Sequence, residues 1–153
     1  MTVRVSGTHH IGFTVASVER SLAFYRELLG MEVVGEQLGT AEYLGRVTGF
    51  PGVRLKLAFL RAPGDDHVLE LLEYASHPGE PTPRETNRPG NGHLCLLVDD
   101  VAAAYRELAE KGVQFISPEP VLVTEGVNRG ARVVYLRDPD GFTVELFQPP
   151  NGS

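Results

Sequence analysis

Four side chains stand out for the chemistry they can do: His10, Glu70, His93 and Glu145. Imidazole nitrogen and carboxylate oxygen are ligands for one divalent ion of zinc, nickel, cobalt, manganese or iron, at bond lengths of roughly 2.0–2.2 Å. Two carboxylates balance the charge of such an ion, and water or a substrate oxygen can complete its shell. A lone histidine at a strand start, or a lone glutamate within a strand, ordinarily has a structural or solvated role. These four differ because the same residue types recur at the same places in two halves of the chain.

The repeat is visible by inspection. From Gly7 the chain reads GTHHIGFTVASVERSLAFYRELLGMEVV, and from Gly90 it reads GNGHLCLLVDDVAAAYRELAEKGVQFI. Each segment has a histidine opening a short apolar run, a small polar break, a stretch containing Tyr-Arg-Glu-Leu, a glycine, and a second apolar run. His10 to Gly30 is 20 positions, and His93 to Gly112 is 19. The ends also match: Phe59-Leu60-Arg61-Ala62-Pro63-Gly64-Asp65 leads to Glu70, and Tyr135-Leu136-Arg137-Asp138-Pro139-Asp140-Gly141 leads to Glu145.

Each half reads as a strand, a helix and three strands. Residues 8–15 alternate, with Ile11, Phe13 and Val15 on one face and His10, Gly12 and Thr14 on the other. Ser17 can cap a helix bearing Val18, Leu22, Tyr25 and Leu29, with Gly30 as its stop. Strands follow near 31–37, 53–61 and 67–74. In the second half Leu94, Leu96 and Val98 form the apolar face, opposite His93, Cys95 and Leu97. Asp99 or Asp100 caps a helix carrying Val101, Tyr105 and Leu108, and Gly112 ends it. Strands are expected near 113–117, 131–137 and 142–148. Glu70 shares a strand face with Val68 and Leu72, and Glu145 with Thr143 and Phe147. A carboxylate on such an apolar face is costly unless a cation or hydrogen bonds compensate its desolvation.

The expected organisation is one domain over 1–153, with a first module at 1–75, a Pro-rich connection at 76–92 and a second module at 93–150. A second irregular stretch, Thr124 to Gly130, has the character of a loop that closes over a site. Asn128 and Arg129 within it, and Arg132 just beyond, are candidates for gripping a substrate carboxylate. His9 is expected on the face opposite His10, in a structural role or supporting a ligand from behind. His67 is expected to be solvated in its turn, His77 to lie in the connection, and Cys95 to be a small buried hydrophobe.

The bulk composition excludes several classes. The chain has 153 residues, 42% of them hydrophobic, enough for a core. Lys plus Arg is 14 against 20 for Asp plus Glu, a formal net charge of -6, which argues against nucleic acid or an anionic membrane surface as partner. The single cysteine permits no intramolecular disulfide and no thiolate cluster. The opening residues do not read as a signal peptide, and no apolar run reaches membrane-spanning length. The expectation is a cytoplasmic protein acting on a small-molecule substrate, as a homodimer. No P-loop, no H-E-x-x-H and no G-x-S-x-G pattern occurs.

The stretches His10-Ile11-Gly12-Phe13-Thr14-Val15, Ser21 to Met31 and Asp138 to Leu146 together resemble the vicinal oxygen chelate superfamily, the glyoxalase, bleomycin-resistance and dioxygenase group. The resemblance covers nearly the whole chain. It implies an α+β fold of two βαβββ modules whose sheets form a cup around a metal. It also implies that His10, Glu70, His93 and Glu145 hold that metal. The complete His/Glu/His/Glu set resembles glyoxalase I and methylmalonyl-CoA epimerase, a lyase and an isomerase that move a proton next to a carbonyl through a metal-stabilised enolate. By that resemblance Glu145 is the first candidate for the base and Glu70 the second. Two other readings of the same fold are an iron(II) extradiol-type dioxygenase, which uses two histidines and one glutamate, and a drug-binding protein without catalysis. Glu70 weighs against the first, and four intact ligands against the second.

Overall fold

The computed structural model describes residues 2–150. The chain divides into two compact units, one ending at Glu80 and the other beginning at Pro81. Each is a four-stranded mixed sheet with a helix on one face, and the strands of the two sheets follow the same order.

In the first unit β1 (His10–Thr14) leads to α1 (Val18–Leu22), which continues as a π-helical stretch over Ala23–Leu28. Then come β2 (Glu32–Gly39), α2 (Glu42–Thr48), β3 (Leu55–Arg61) and β4 (Val68–Tyr74). The sheet order is β1-β4-β3-β2, with β1 parallel to β4 and the other pairs antiparallel. Ser17 caps α1 as its type predicts, accepting the Arg20 amide. Gly30 takes a left-handed φ of 72°, which ends the helix and turns the chain toward β2. One sheet face, bearing Ala58, Leu60, Leu69 and Leu71, is buried with Val18, Leu22 and Tyr25. The other face carries Glu70, and at its far end Leu44, Val53, Leu55 and Leu57 form a second apolar cluster joined by Phe59 and Leu72.

The second unit repeats this plan with β5 (His93–Leu97), α3 (Val101–Glu110), β6 (Val121–Leu122), β7 (Arg132–Arg137) and β8 (Thr143–Gln148). The order is β5-β8-β7-β6, and β5 is parallel to β8. Asp100 is the cap, accepting the amides of Ala102 and Ala103 through Oδ1. Val101 and Leu108 are buried, as are Val134, Leu136, Val144 and Leu146 of the sheet that α3 packs on. The helix starts are tied to the last strands in the same way twice. The Val18 amide donates to Glu73 Oε2 at 2.9 Å, and the Val101 amide donates to Gln148 Oε1 at 3.0 Å.

Two features differ from the sequence expectation. Residues 113–117 form no strand; Phe115 makes one isolated bridge with Leu136, and strand pairing resumes only at Val121. Pro118 and Pro120 lack the amide hydrogen a ladder needs, so the edge is interrupted there. In the first unit, α2 is an additional helix that has no counterpart among the elements of the second.

Candidate functional site

Strand alternation and register place the four residues. In the first unit Gly12 lies opposite Glu70 and Glu70 opposite Phe59, so these three form one row across β1, β4 and β3. In the second unit the corresponding row is Cys95, Glu145 and Tyr135. His10 and His93 stand two residues before Gly12 and Cys95, on the same faces as the carboxylates. His10 Nε2 is 3.2 Å from Glu70 Oε2, and His93 Nε2 is 3.1 Å from Glu145 Oε2. The glutamate side chains are 13% and 14% exposed, while the histidines are 39% and 46% exposed. Each unit therefore presents an accessible imidazole over a largely covered carboxylate. Among the described residues no group of three or more His, Cys, Asp or Glu side chains is arranged as a metal site, so what each unit assembles is a nitrogen–oxygen pair.

Tight turns fix where the carboxylates emerge. Ahead of β8, Asp138 is buried and its Oδ1 accepts the amides of Asp140 and Phe142 at 2.9 and 2.7 Å. Gly141 has a φ of 85°, a conformation that favours glycine, and the Arg84 side chain packs over it. Arg137 donates to the Gly141 carbonyl and to Thr143 Oγ1, locking the first residues of the strand that bears Glu145. Ahead of β4 a turn over Ala62–Asp65 does the corresponding work, and Asp65 Oδ1 accepts the His67 amide at 3.0 Å. His67 is exposed there, as its position in a turn suggests.

The rest of the two rows is not alike. Gly12 lets Leu72 and Glu70 close over its position: a Cβ there would stand 3.0 Å from Leu72 Cδ1 and 3.3 Å from Glu70 Oε2. In the second unit Cys95 takes that place, opposite Glu145 in the strand register. Cys95 is exposed rather than a buried hydrophobe. Strand alternation turns it away from Leu94 and Leu96 toward the Glu145 face. Partial burial, then the negative charge of Glu145, push its thiol up to about 12. The same causes, burial first, raise Tyr135, whose ring lies against His93 with centroids 5.4 Å apart.

His9 does not stand apart from His10 on the opposite face. It precedes β1, so strand alternation does not govern it, and its Nδ1 is 2.8 Å from His10 Nδ1. The adjacency of two histidines was the signal for this contact. Asn128 and Arg129 are exposed in the loop joining β6 and β7, a turn closed by the Gly130 amide on the Val123 carbonyl at 2.8 Å. Arg132 pairs with Gln148 in the ladder, and Gln148 faces α3. Arg132 thus belongs to the helix side of the sheet, and alternation keeps it off the Glu145 face. His77, in the segment between β4 and β5, packs against Phe50 and meets Ser76 Oγ, and no feature links it to Glu70.

Comparison with known proteins agrees with this architecture. Residues 7–146 match the model of the Glyoxalase/Bleomycin resistance protein/Dioxygenase superfamily. The chain belongs to that superfamily. Within it, the 2-epi-5-epi-valiolone epimerase of Actinomyces sp is 31% identical over 150 residues, spanning 95% of this chain and 80% of the relative. The lactoylglutathione lyase of Pseudomonas putida is 28% identical over 167 residues, spanning 92% of this chain and 84% of the relative. The crystal structure of a glyoxalase family protein from Bacillus cereus superposes with a TM-score of 0.83 at 20% identity, covering 97% of each chain. Among the described residues no helix is long and apolar enough to cross a membrane.

Proposed function

We propose that the protein is a divalent-metal-dependent enzyme that moves a proton on the carbon next to a carbonyl of a small-molecule substrate, with His10, Glu70, His93 and Glu145 as metal ligands. The observation that carries this reading is the repeated pair: one imidazole nitrogen and one carboxylate oxygen, 3.2 and 3.1 Å apart, at matching register in both units. The donors fit the group, since neutral imidazole and carboxylate suit zinc, nickel, cobalt, manganese and iron(II). The covered carboxylates also gain from a nearby cation, which offsets the cost of their desolvation. When bound, the ion supplies Lewis-acid stabilisation of negative charge on a substrate oxygen.

The chain's own groups do the rest. A carboxylate next to the substrate accepts the proton from carbon and returns it to another atom or face, as general base and then acid. Glu145 is the first choice because the turn ahead of β8 fixes the start of its strand. Glu70, whose Oε2 lies 3.2 Å from His10 Nε2, is the second. Asn128 and Arg129 are exposed and within one loop, where they can bind a polar substrate group. The names of the two relatives, an epimerase and a lyase, support this class of chemistry for the present chain.

The test combines metal analysis with solvent exchange. Purified protein should hold a divalent ion by elemental analysis. With zinc, nickel or cobalt restored, 2-epi-5-epi-valiolone, lactoylglutathione and acyl-CoA thioesters are incubated in deuterium oxide and followed by NMR. Label at the carbon beside the carbonyl is the expected result. Glu145→Gln should cut exchange by at least about a hundredfold, the scale of a lost general base, while lowering metal content less. Oxygen uptake that requires iron(II), with no solvent label in the product, would overturn the proposal in favour of the dioxygenase reading.

A further inference from the structure

We infer that His9 is a positioning residue for His10: it holds the His10 ring through an Nδ1–Nδ1 hydrogen bond in either tautomer and so keeps Nε2 directed toward Glu70. The inference rests on the metal-binding reading above. Its ground is the 2.8 Å separation of the two Nδ1 atoms, with the rings edge to face at 5.1 Å between centroids. Two imidazole nitrogens at that distance share one proton, because two N–H groups would clash and two bare lone pairs would repel. One ring donates and the other accepts.

The far side of the His10 ring completes the logic. Its Nε2 is 3.2 Å from Glu70 Oε2. In the metal-free protein, with both rings neutral, Nε2–H donates to the carboxylate, His10 Nδ1 is bare, and His9 Nδ1–H donates to it. For His10 to offer its Nε2 lone pair to a cation, its proton must sit on Nδ1, and His9 must then accept with its own Nδ1, carrying its proton on Nε2. The two arrangements hold the same number of protons and the same charge. His9 satisfies His10 Nδ1 in both, so the ring keeps its orientation while the tautomer changes. Histidine ligands of metals regularly need such a partner on the other ring nitrogen, and losing it typically lowers affinity about 10–100-fold.

The second unit has no equivalent. The residue before His93 is Gly92, which has no side chain, and the His93 ring is instead in contact with the Tyr135 ring at 5.4 Å. The two halves of the repeat therefore orient their histidines differently, and His9 is the added part.

The test uses the full-length protein and zinc alone. Zinc affinity is measured by competition with a chromophoric chelator for wild type, His9→Ala and His9→Asn, with His67→Ala as a surface control. His9→Ala should bind zinc about 10–100-fold more weakly. His9→Asn, whose amide oxygen stands close to where Nδ1 was and can accept the same hydrogen bond, should recover most of the loss; His67→Ala should bind as wild type. In parallel, nitrogen-15 NMR of the metal-free protein reads the His10 Nδ1 shift: that of a hydrogen-bonded ring nitrogen in wild type, moved toward that of an unbonded one in His9→Ala. Unchanged affinity together with an unchanged Nδ1 shift in His9→Ala would overturn the inference. Should wild type bind no divalent ion at all, the metal proposal fails, and the metal-free Nδ1 shift still decides whether His9 holds His10.

Discussion

The Glu145 carboxylate meets a histidine, and Cys95 lies opposite it in the strand register, so the thiol makes a readable probe of that environment. Cys95 is the only cysteine, so any thiol signal belongs to it. Its value of about 12, against 9.0 for an unperturbed thiol, means that it stays protonated far into alkaline pH. The thiolate is the form that reacts with alkylating agents, so at pH 8 the reactive fraction is lower by about a thousandfold, a factor of ten for each unit. Iodoacetamide labelling of metal-free protein followed by mass spectrometry should show Cys95 reacting far more slowly than a free thiol despite its exposure, and Glu145→Gln should speed it by removing the charge that opposes ionisation. Labelling of wild type at close to the glutathione rate would contradict this geometry. The sign for stability follows too. A raised thiol value leaves the contribution intact below the unfolded value near 9 and loses it as pH rises toward 12. At this scale the histidines and glutamates were legible because each occurs twice. The partners that tune them, His9 and Cys95, occur once, and their contacts depend on where β1 begins and which face β5 turns outward.

The elements show where local signals suffice and where they do not. The caps at Ser17 and Asp100 were legible because capping is a matter of three or four neighbouring residues. Asp100→Ala should lower stability by about 1 kcal/mol in urea unfolding, within a range of roughly 0.5–2 kcal/mol, while Asp100→Asn, which keeps an acceptor oxygen, should cost much less. A full loss in Asp100→Asn would show that charge rather than the hydrogen bonds to Ala102 and Ala103 does the work. Helix α2 was not legible. Its cap position is Ala41, which makes no side-chain hydrogen bond, and its interior contains Gly45, an ordinary helix breaker. The structure gives Gly45 a reason: a Cβ there would lie 3.0 Å from the Phe50 carbonyl and 3.1 Å from Pro51 Cα. The returning backbone passes closer than a Cβ ordinarily stands to its neighbours, so it must shift to admit one. Gly45→Ala, which ordinarily favours a helix, should therefore destabilise the protein by about 1–3 kcal/mol, the usual cost of forcing atoms into a filled space. Equal or greater stability in urea would show that the chain between Phe50 and Gly52 shifts freely. The interruption over 113–117 has the opposite origin: its hydrophobic pattern suits a strand, but the following prolines remove the donors that would extend the ladder.

For the chain as a whole, the doubled plan was legible from the repeat, since two segments of matching length ending in matching turns fold to the same strand order. What an internal repeat does not specify is the division of labour between its copies, and here the copies differ beside each carboxylate, Gly12 in one and Cys95 in the other. The proposed ligand set makes the two units partners in one binding equilibrium, and that has a thermodynamic consequence. An ion that binds the folded protein and not the unfolded chain stabilises it by about 4 kcal/mol when present at a thousand times its dissociation constant. For a chain of this size that corresponds to a rise in melting temperature on the order of 10 °C. Metal-free protein prepared with a chelator should therefore melt lower than protein with zinc or cobalt restored. His10→Ala and His93→Ala should each remove most of that rise, although the two residues lie in different units, because losing a ligand from either pair weakens the same ion. Melting is followed by circular dichroism at several metal concentrations. A rise that survives both substitutions would sink the four-ligand assignment. A rise lost in only one of them would place the ion on that unit's His–Glu pair alone.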